Sequence, residues 1–200
     1  MSIFRRSSYL LPALLLAAAP VALAEILEWK MDPAHSHVGF KIRHLMVSWV
    51  RGSFNIAEGT IWFDKDDLST LRMEIAIDPA SIDTGMSVRD RDLRGSEFFE
   101  VDKYPAMGFV STKAVPQPDG TVKLTGNLTM HGVTKQVTLD VEGLTTVVQS
   151  DNGPRTGASA TGSLKRSDFG LTYNPILEAG GITVADEVFI EIDAELKPPE

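Results

Sequence analysis

Val122-Lys123-Leu124-Thr125-Gly126-Asn127-Leu128-Thr129-Met130 sets an apolar or small residue at every even position and a polar one at every odd position. Successive side chains of an extended chain point to opposite faces, so a period of two describes an antiparallel strand with one face buried and one wet. The alternation continues outward from this stretch. Val137, Leu139 and Val141 alternate with Gln136, Thr138, Asp140 and Glu142, and Leu71, Met73, Ile75 and Ile77 alternate with Arg72, Glu74, Ala76 and Asp78. Near the C-terminus, Val188, Ile190, Ile192, Ala194 and Leu196 are set against Glu187, Glu191, Asp193 and Glu195. Further strands are predicted over 27–31, 36–43, 50–63, 107–115 and 156–165, separated by turn signals such as Asp119-Gly120 and Asn152-Gly153-Pro154. Only 85–100, with a short turn near 44–48, reads as helical or irregular.

Eight or so long strands without a linker or an internal repeat predict an all-β fold, an eight-stranded antiparallel barrel or a sandwich with a short helical segment around 85–100. Closure is favoured because it removes the exposed edges that long alternating strands otherwise offer. A barrel of eight strands is either filled by side chains or encloses one small ligand. Gly157-Ala158-Ser159-Ala160-Thr161-Gly162-Ser163 carries little side-chain volume on either face, which leaves interior space or admits a close packing contact.

Composition removes several function classes. The 19 basic and 27 acidic residues give a net charge of −8, and such a surface repels nucleic-acid phosphates. With no cysteine, the chain has no disulfide, thiolate nucleophile, iron–sulfur cluster or cysteine-type zinc site. Neither the Gly-x-Ser-x-Gly elbow of a serine hydrolase nor a glycine-rich phosphate cradle occurs. The first 24 residues read as an export signal: Arg5-Arg6, an apolar run from Leu10 to Ala19, and a small-x-small site at Ala22-Leu23-Ala24. The general secretory route fits better than twin-arginine export, since Ser7-Ser8-Tyr9 is a poor continuation of the arginine pair. Residues 25–200 then form a single domain, expected in the periplasm.

His35 and His37 share a strand face and could hold a metal with His44 or His131, although polar histidines at a barrel rim are the commoner meaning of such a pair. No metal or other cofactor is expected. A greasy run of Phe40, Ile42, Met46, Trp49 and Phe54 is followed by Arg89 and Arg94, then by Phe98, Phe99, Met107 and Phe109. Bulky apolar residues followed by guanidinium forks suit a ligand with an apolar tail and a polar or acidic head. Ordinary core plus surface arginines paired with Asp90, Asp92 and Glu97 is the competing account.

Several ordered blocks resemble the YceI-like family of polyisoprenoid-binding proteins. They include Asp32-Pro33-Ala34-His35-Ser36, Phe40-Lys41-Ile42-Arg43-His44-Leu45-Met46-Val47-Ser48, Gly52-Ser53-Phe54 and Ser81-Ile82-Asp83-Thr84 with Arg89-Asp90. Leu93-Arg94, Phe98-Phe99, Tyr104-Pro105, Leu124-Thr125-Gly126-Asn127-Leu128-Thr129, Gly132-Val133-Thr134-Lys135 and Arg166-Ser167-Asp168-Phe169-Gly170-Leu171 extend the likeness over nearly all of residues 25–200. The resemblance implies a lipocalin-like barrel whose long apolar cavity holds an isoprenoid chain, in a periplasmic protein that is not an enzyme. One position departs from the pattern. Asp92 and Gly95 flank Leu93-Arg94 where the family usually carries a histidine and a serine, which favours a prenyl quinone or prenol over a prenyl phosphate.

The expected function is therefore carriage of a polyisoprenoid-type lipid, with transient handover to a membrane protein and a homodimer as an option. Two alternatives remain: a hydrolase or isomerase using His35 with Asp32, and a ligand-free envelope protein with a filled barrel. The export reading predicts a mature chain that begins at Glu25, and intact-mass measurement of exported protein checks it. Retention of residues 1–24 would revive a membrane anchor.

Overall fold

The computed structural model describes residues 25–175 and 183–199; the proposed signal segment lies outside them. The elements run in the order β1 (Leu27–Met31), β2 (His37–His44), β3 (Ser48–Asp64), β4 (Asp67–Asp83), α1 (Ser87–Arg94), β5 (Met107–Pro116), β6 (Val122–Met130), β7 (Val133–Gly143), β8 (Val148–Ser150), β9 (Gly153–Lys165), a 3-10 turn (Arg166–Phe169) and β10 (Val184–Lys197). Every strand period read from the sequence is present. Helix α1 falls inside the segment 85–100.

Antiparallel pairing runs β2–β3–β4–β5–β6–β7–β9–β10 and returns from β10 to β2, so these eight strands form a closed ring. The two remaining strands are accessory. β1 pairs with both β3 and β10 at one end of the ring, and three-residue β8 only lengthens the hairpin into β9. β8 shows no sequence signal because all three of its residues are exposed.

The ring is packed unevenly along its axis. At the end carrying the β3–β4 turn and β1, Phe63, Leu71, Val122, Leu124, Val141, Leu144 and Leu196 are almost wholly buried, and Trp29 stacks on Phe63 at 6.0 Å. These side chains plug that end. At the other end sit the β2–β3 turn, α1, the β6–β7 turn and the 3-10 turn, and here the inward face is more open.

Glycine lets aromatic rings lie across the inner wall. A Cβ at Gly126 would stand 2.3 Å from Cζ of Phe109, and one at Gly52 would stand 2.6 Å from Cζ of Phe40. Each ring occupies the space that any larger residue at the glycine would need. The small residues of β9 serve both of their sequence readings. Ala158 and Ala160 border open interior, whereas Gly162 receives Cδ2 of Leu139, 2.8 Å from where its Cβ would be.

The uneven packing predicts unequal costs of truncation. Leu124→Ala opens a new void in a packed layer and should cost about 2–5 kcal/mol. Ile190→Ala, on a wall that already faces empty space, should cost only ~1–2 kcal/mol because the transfer contribution remains and the void contribution falls away. Urea unfolding of both variants checks this, and equal costs would argue for a filled barrel.

Candidate ligand-binding cavity

A cavity of about 750 Å³ occupies the ring interior, within the ~300–1,000 Å³ typical of small-molecule sites. Strand parity decides what faces it. Phe40 and Ile42 on β2, Phe54 on β3, and Met107 and Phe109 on β5 line the wall, as do Phe98 and Phe99 from the loop after α1. Phe54 joins these groups, its ring 5.5 Å from both Phe40 and Phe99. Arg89 also borders the cavity.

Three residues expected to contact the ligand, Met46 and Trp49 on the wall and Arg94 at the head group, do not border the cavity. Met46 occupies the tip of the β2–β3 turn and is 58% exposed. Trp49 has the opposite parity to wall residue Val50; it packs edge-on against Phe189 at 5.6 Å and lies under the Arg43 guanidinium at 4.0 Å. Arg94 turns to the backbone at the end of β4, donating from Nε to the Ala80 carbonyl at 2.6 Å and from Nη2 to the Ile82 carbonyl at 2.9 Å. Its role is to fasten α1 to the barrel.

Arg89 is partly committed in the same way. Its Nε donates to Thr84 Oγ1 at 2.7 Å and its Nη2 to the Thr84 carbonyl at 2.8 Å, while buried Asp90 accepts from the Thr84 amide at 2.9 Å and its hydroxyl at 2.5 Å. Thr84 is thus gripped from both sides. This knot fixes where α1 starts and holds the helix across the open end.

Wall residues not singled out from the sequence include Ile75, Ile77, Leu128, Met130, Leu139, Ile190 and Ile192. The signal that could have found them was the alternation itself, since all lie on the apolar face of their strands. Arg166 carried no such signal. It is 6% exposed, borders the cavity, and donates to the carbonyls of Ala185 at 2.9 Å, Val184 at 3.4 Å and Leu171. Burial pushes its pKa down from the ordinary arginine value, partly opposed by nearby Asp186. Among the described residues no carboxylate forms an ion pair with it, because Asp186 instead accepts from the amide and hydroxyl of Ser167.

Among the described residues, the ionisable groups bordering the cavity are His44, Arg89, Arg91, Asp92, Glu97 and Arg166. All belong to elements at the helix end. The rest of the wall is overwhelmingly apolar, so the cavity has a greasy depth and one polar end.

The four histidines do not converge. His35 lies in the turn before β2 at the plugged end, where its Nδ1 is 3.1 Å from Asp32 Oδ2. That hydrogen bond raises the His35 pKa above the ordinary imidazole value, with the Glu195 charge adding to it, and lowers that of Asp32. Asp32, His35 and Glu195 could approach one ion, but Arg155 already supplies positive charge 3.2 Å from Glu195. Neither Asp32 nor His35 borders the cavity. At the opposite end, His131 Nδ1 is 3.0 Å from the Phe169 carbonyl, and its ring packs against Tyr104 with centroids 4.4 Å apart.

Residues 29–196 match the YceI-like domain. A UPF0312 protein of Staphylococcus aureus (strain MSSA476) is 37% identical over 171 residues, covering 84% of this chain and 96% of its own. Among solved structures, BcnA of Burkholderia cenocepacia superposes with a TM-score of 0.70 at 26% identity, over 82% of this chain and 98% of that one. A polyisoprenoid binding domain from Saccharophagus degradans, implicated in plant cell wall breakdown, has a TM-score of 0.58 at 16% identity over 86% and 98% of the two chains, a likeness of fold alone. With the closed ring, the hollow apolar interior and a match that spans nearly all described residues, the chain belongs to the YceI-like family.

Proposed function

We propose that this protein binds one long-chain, isoprenoid-type lipid, tail inward, and carries it between membrane-associated donors and acceptors. The observation that supports this reading is the polarity of the cavity: a wall of aliphatic and aromatic side chains with its charged groups gathered at the helix end. Burying an alkyl or prenyl chain releases ~0.8 kcal/mol per methylene, so ten carbons contribute ~8 kcal/mol before the costs of ordering. Affinity then comes from the tail and selectivity from the head. The polyisoprenoid binding domain with the same fold agrees with this choice of ligand.

Three guanidinium groups, those of Arg89, Arg91 and Arg166, face two carboxylates, Asp92 and Glu97, around the polar end. Such a mixed rim suits a hydroxyl or quinone head at least as well as a phosphate, since Asp92 and Glu97 repel an anion that the arginines attract. The export signal at residues 1–24 and the periplasmic setting belong to the same proposal. Carriage rather than catalysis is favoured because the Asp32–His35 pair lies off the cavity wall.

Occupancy is tested by filling the cavity. Ile190→Trp should weaken binding of farnesol at least about tenfold in calorimetric titration, with the circular dichroism spectrum retained; unchanged affinity would place the ligand elsewhere. Head-group selectivity is tested with farnesyl phosphate against farnesol. Arg91→Ala should lower the phosphate-to-alcohol affinity ratio about two- to fivefold, the modest effect of an exposed charge. Arg94→Ala should lower the melting temperature while leaving that ratio unchanged, because its donors are spent on β4 carbonyls.

A further inference from the structure

The helix end carries an exposed apolar rim, most of it outside the cavity wall. Leu45, Met46 and Val47 at the β2–β3 turn, Met86 and Val88 at the start of α1, and Tyr173 are all substantially exposed, Val47 by 77%. Isolated exposed apolar residues are ordinary, but here several large ones from three separate segments share one end of the barrel.

The turn is built at a conformational cost. Val47 N–H closes onto the His44 carbonyl at 3.1 Å, and the two central residues, Leu45 and Met46, have φ of 51° and 59°. Two successive left-handed residues are the backbone of a type I′ turn, for which Asn-Gly is the favoured pair. Leucine and methionine pay steric strain there and hold their side chains in water. Neither residue borders the cavity, and the exposed Met46 points to a gain outside the molecule.

The rim is continuous with the site. Tyr173, 40% exposed, packs on the wall residue Phe98 with centroids 5.0 Å apart and itself borders the cavity. An apolar track therefore leads from the outer surface to the interior. Beside the rim, Arg91 is exposed and Arg43 lies over the Trp49 ring, and neither forms an ion pair among the described residues. On a chain of net charge −8, these two guanidinium groups stand at the same end as the exposed apolar side chains and, with Asp92 and Glu97 also there, give a mixed charged border that suits zwitterionic phospholipid headgroups lying over acyl chains.

We infer that the helix end docks on a phospholipid bilayer, with the Leu45–Met46–Val47 turn and the start of α1 inserted at the interface and the cavity mouth presented to the lipids. The overall negative charge opposes attachment by long-range electrostatics, so the inserted side chains supply the hold and the arginines set the orientation. This inference rests on the lipid-binding reading of the cavity, and the two are separable by experiment.

Co-flotation with vesicles of phosphatidylethanolamine and phosphatidylglycerol tests it, with farnesol affinity measured in parallel. The protein should float with the vesicles and remain attached in high salt. Val47→Asp and Val88→Asp should each reduce flotation about tenfold with farnesol affinity unchanged. Asp at position 88 also suits the first turn of a helix, so that variant keeps its fold. Replacing Leu45-Met46 by Asn-Gly should raise the melting temperature by roughly 2–6 °C through relief of the turn while flotation falls. Failure of the protein to float, flotation of the aspartate variants at the level of the parent, or a dimer in place of vesicle binding that Val47→Asp dissolves would each overturn the docking surface. Flotation without farnesol binding would support docking and defeat the cavity reading instead.

Discussion

Pairing of β9 with β10 is the constraint on which the molecule rests. The ladder runs from Lys165–Glu187 to Thr156–Leu196 and closes into a ring what would otherwise be one open sheet. Once it forms, the ring has no free edge, and the inner faces of eight strands must share a single interior. That interior is filled only where the chain supplies large side chains. Phe63, Leu124, Leu144 and Leu196 fill one end, whereas Ala158 and Ala160 on the closing strand leave the middle hollow.

Polar architecture at the open end follows from backbone needs as much as from ligand chemistry. Arg94 and Arg166 each donate to main-chain carbonyls, and Arg89 with Asp90 holds Thr84 where β4 gives way to α1. A buried guanidinium on carbonyl oxygens is well hydrogen-bonded yet retains its whole charge. Arg166 therefore contributes a positive potential to the cavity even while it acts as a brace.

Most of the fold was legible because each strand announces its buried face through a period of two, and turn residues punctuate the alternation. Five wall residues on strands, such as Phe40 and Phe109, follow from the same rule, whereas Phe98 and Phe99 stand on the loop after α1 and carry no period. Hydrophobicity alone points Trp49 inward, whereas strand parity sets it outside with Arg43 and Phe189. Met46 was misplaced because a turn residue belongs to neither face. Arg94 and Arg166 were beyond reach, since no pattern along the chain reveals which carbonyls a guanidinium will find. Exposed β8 likewise leaves no trace, as it buries nothing.

β1 spans from β3 to β10, with Met31 opposite Leu196 and Trp29 opposite Ile61. The first described strand thus rests on the last, and neither the ring nor its plug can be completed until the C-terminal strand is available. Contacts so distant along the chain incur loop-closure entropy before they repay it, which makes their formation slow. An emerging chain consequently stays open through nearly the whole of its synthesis. The hairpins from β3 to β7, whose partners are adjacent in sequence, are the portion able to pair first, and the hollow interior comes into being only with the final turn of the ring.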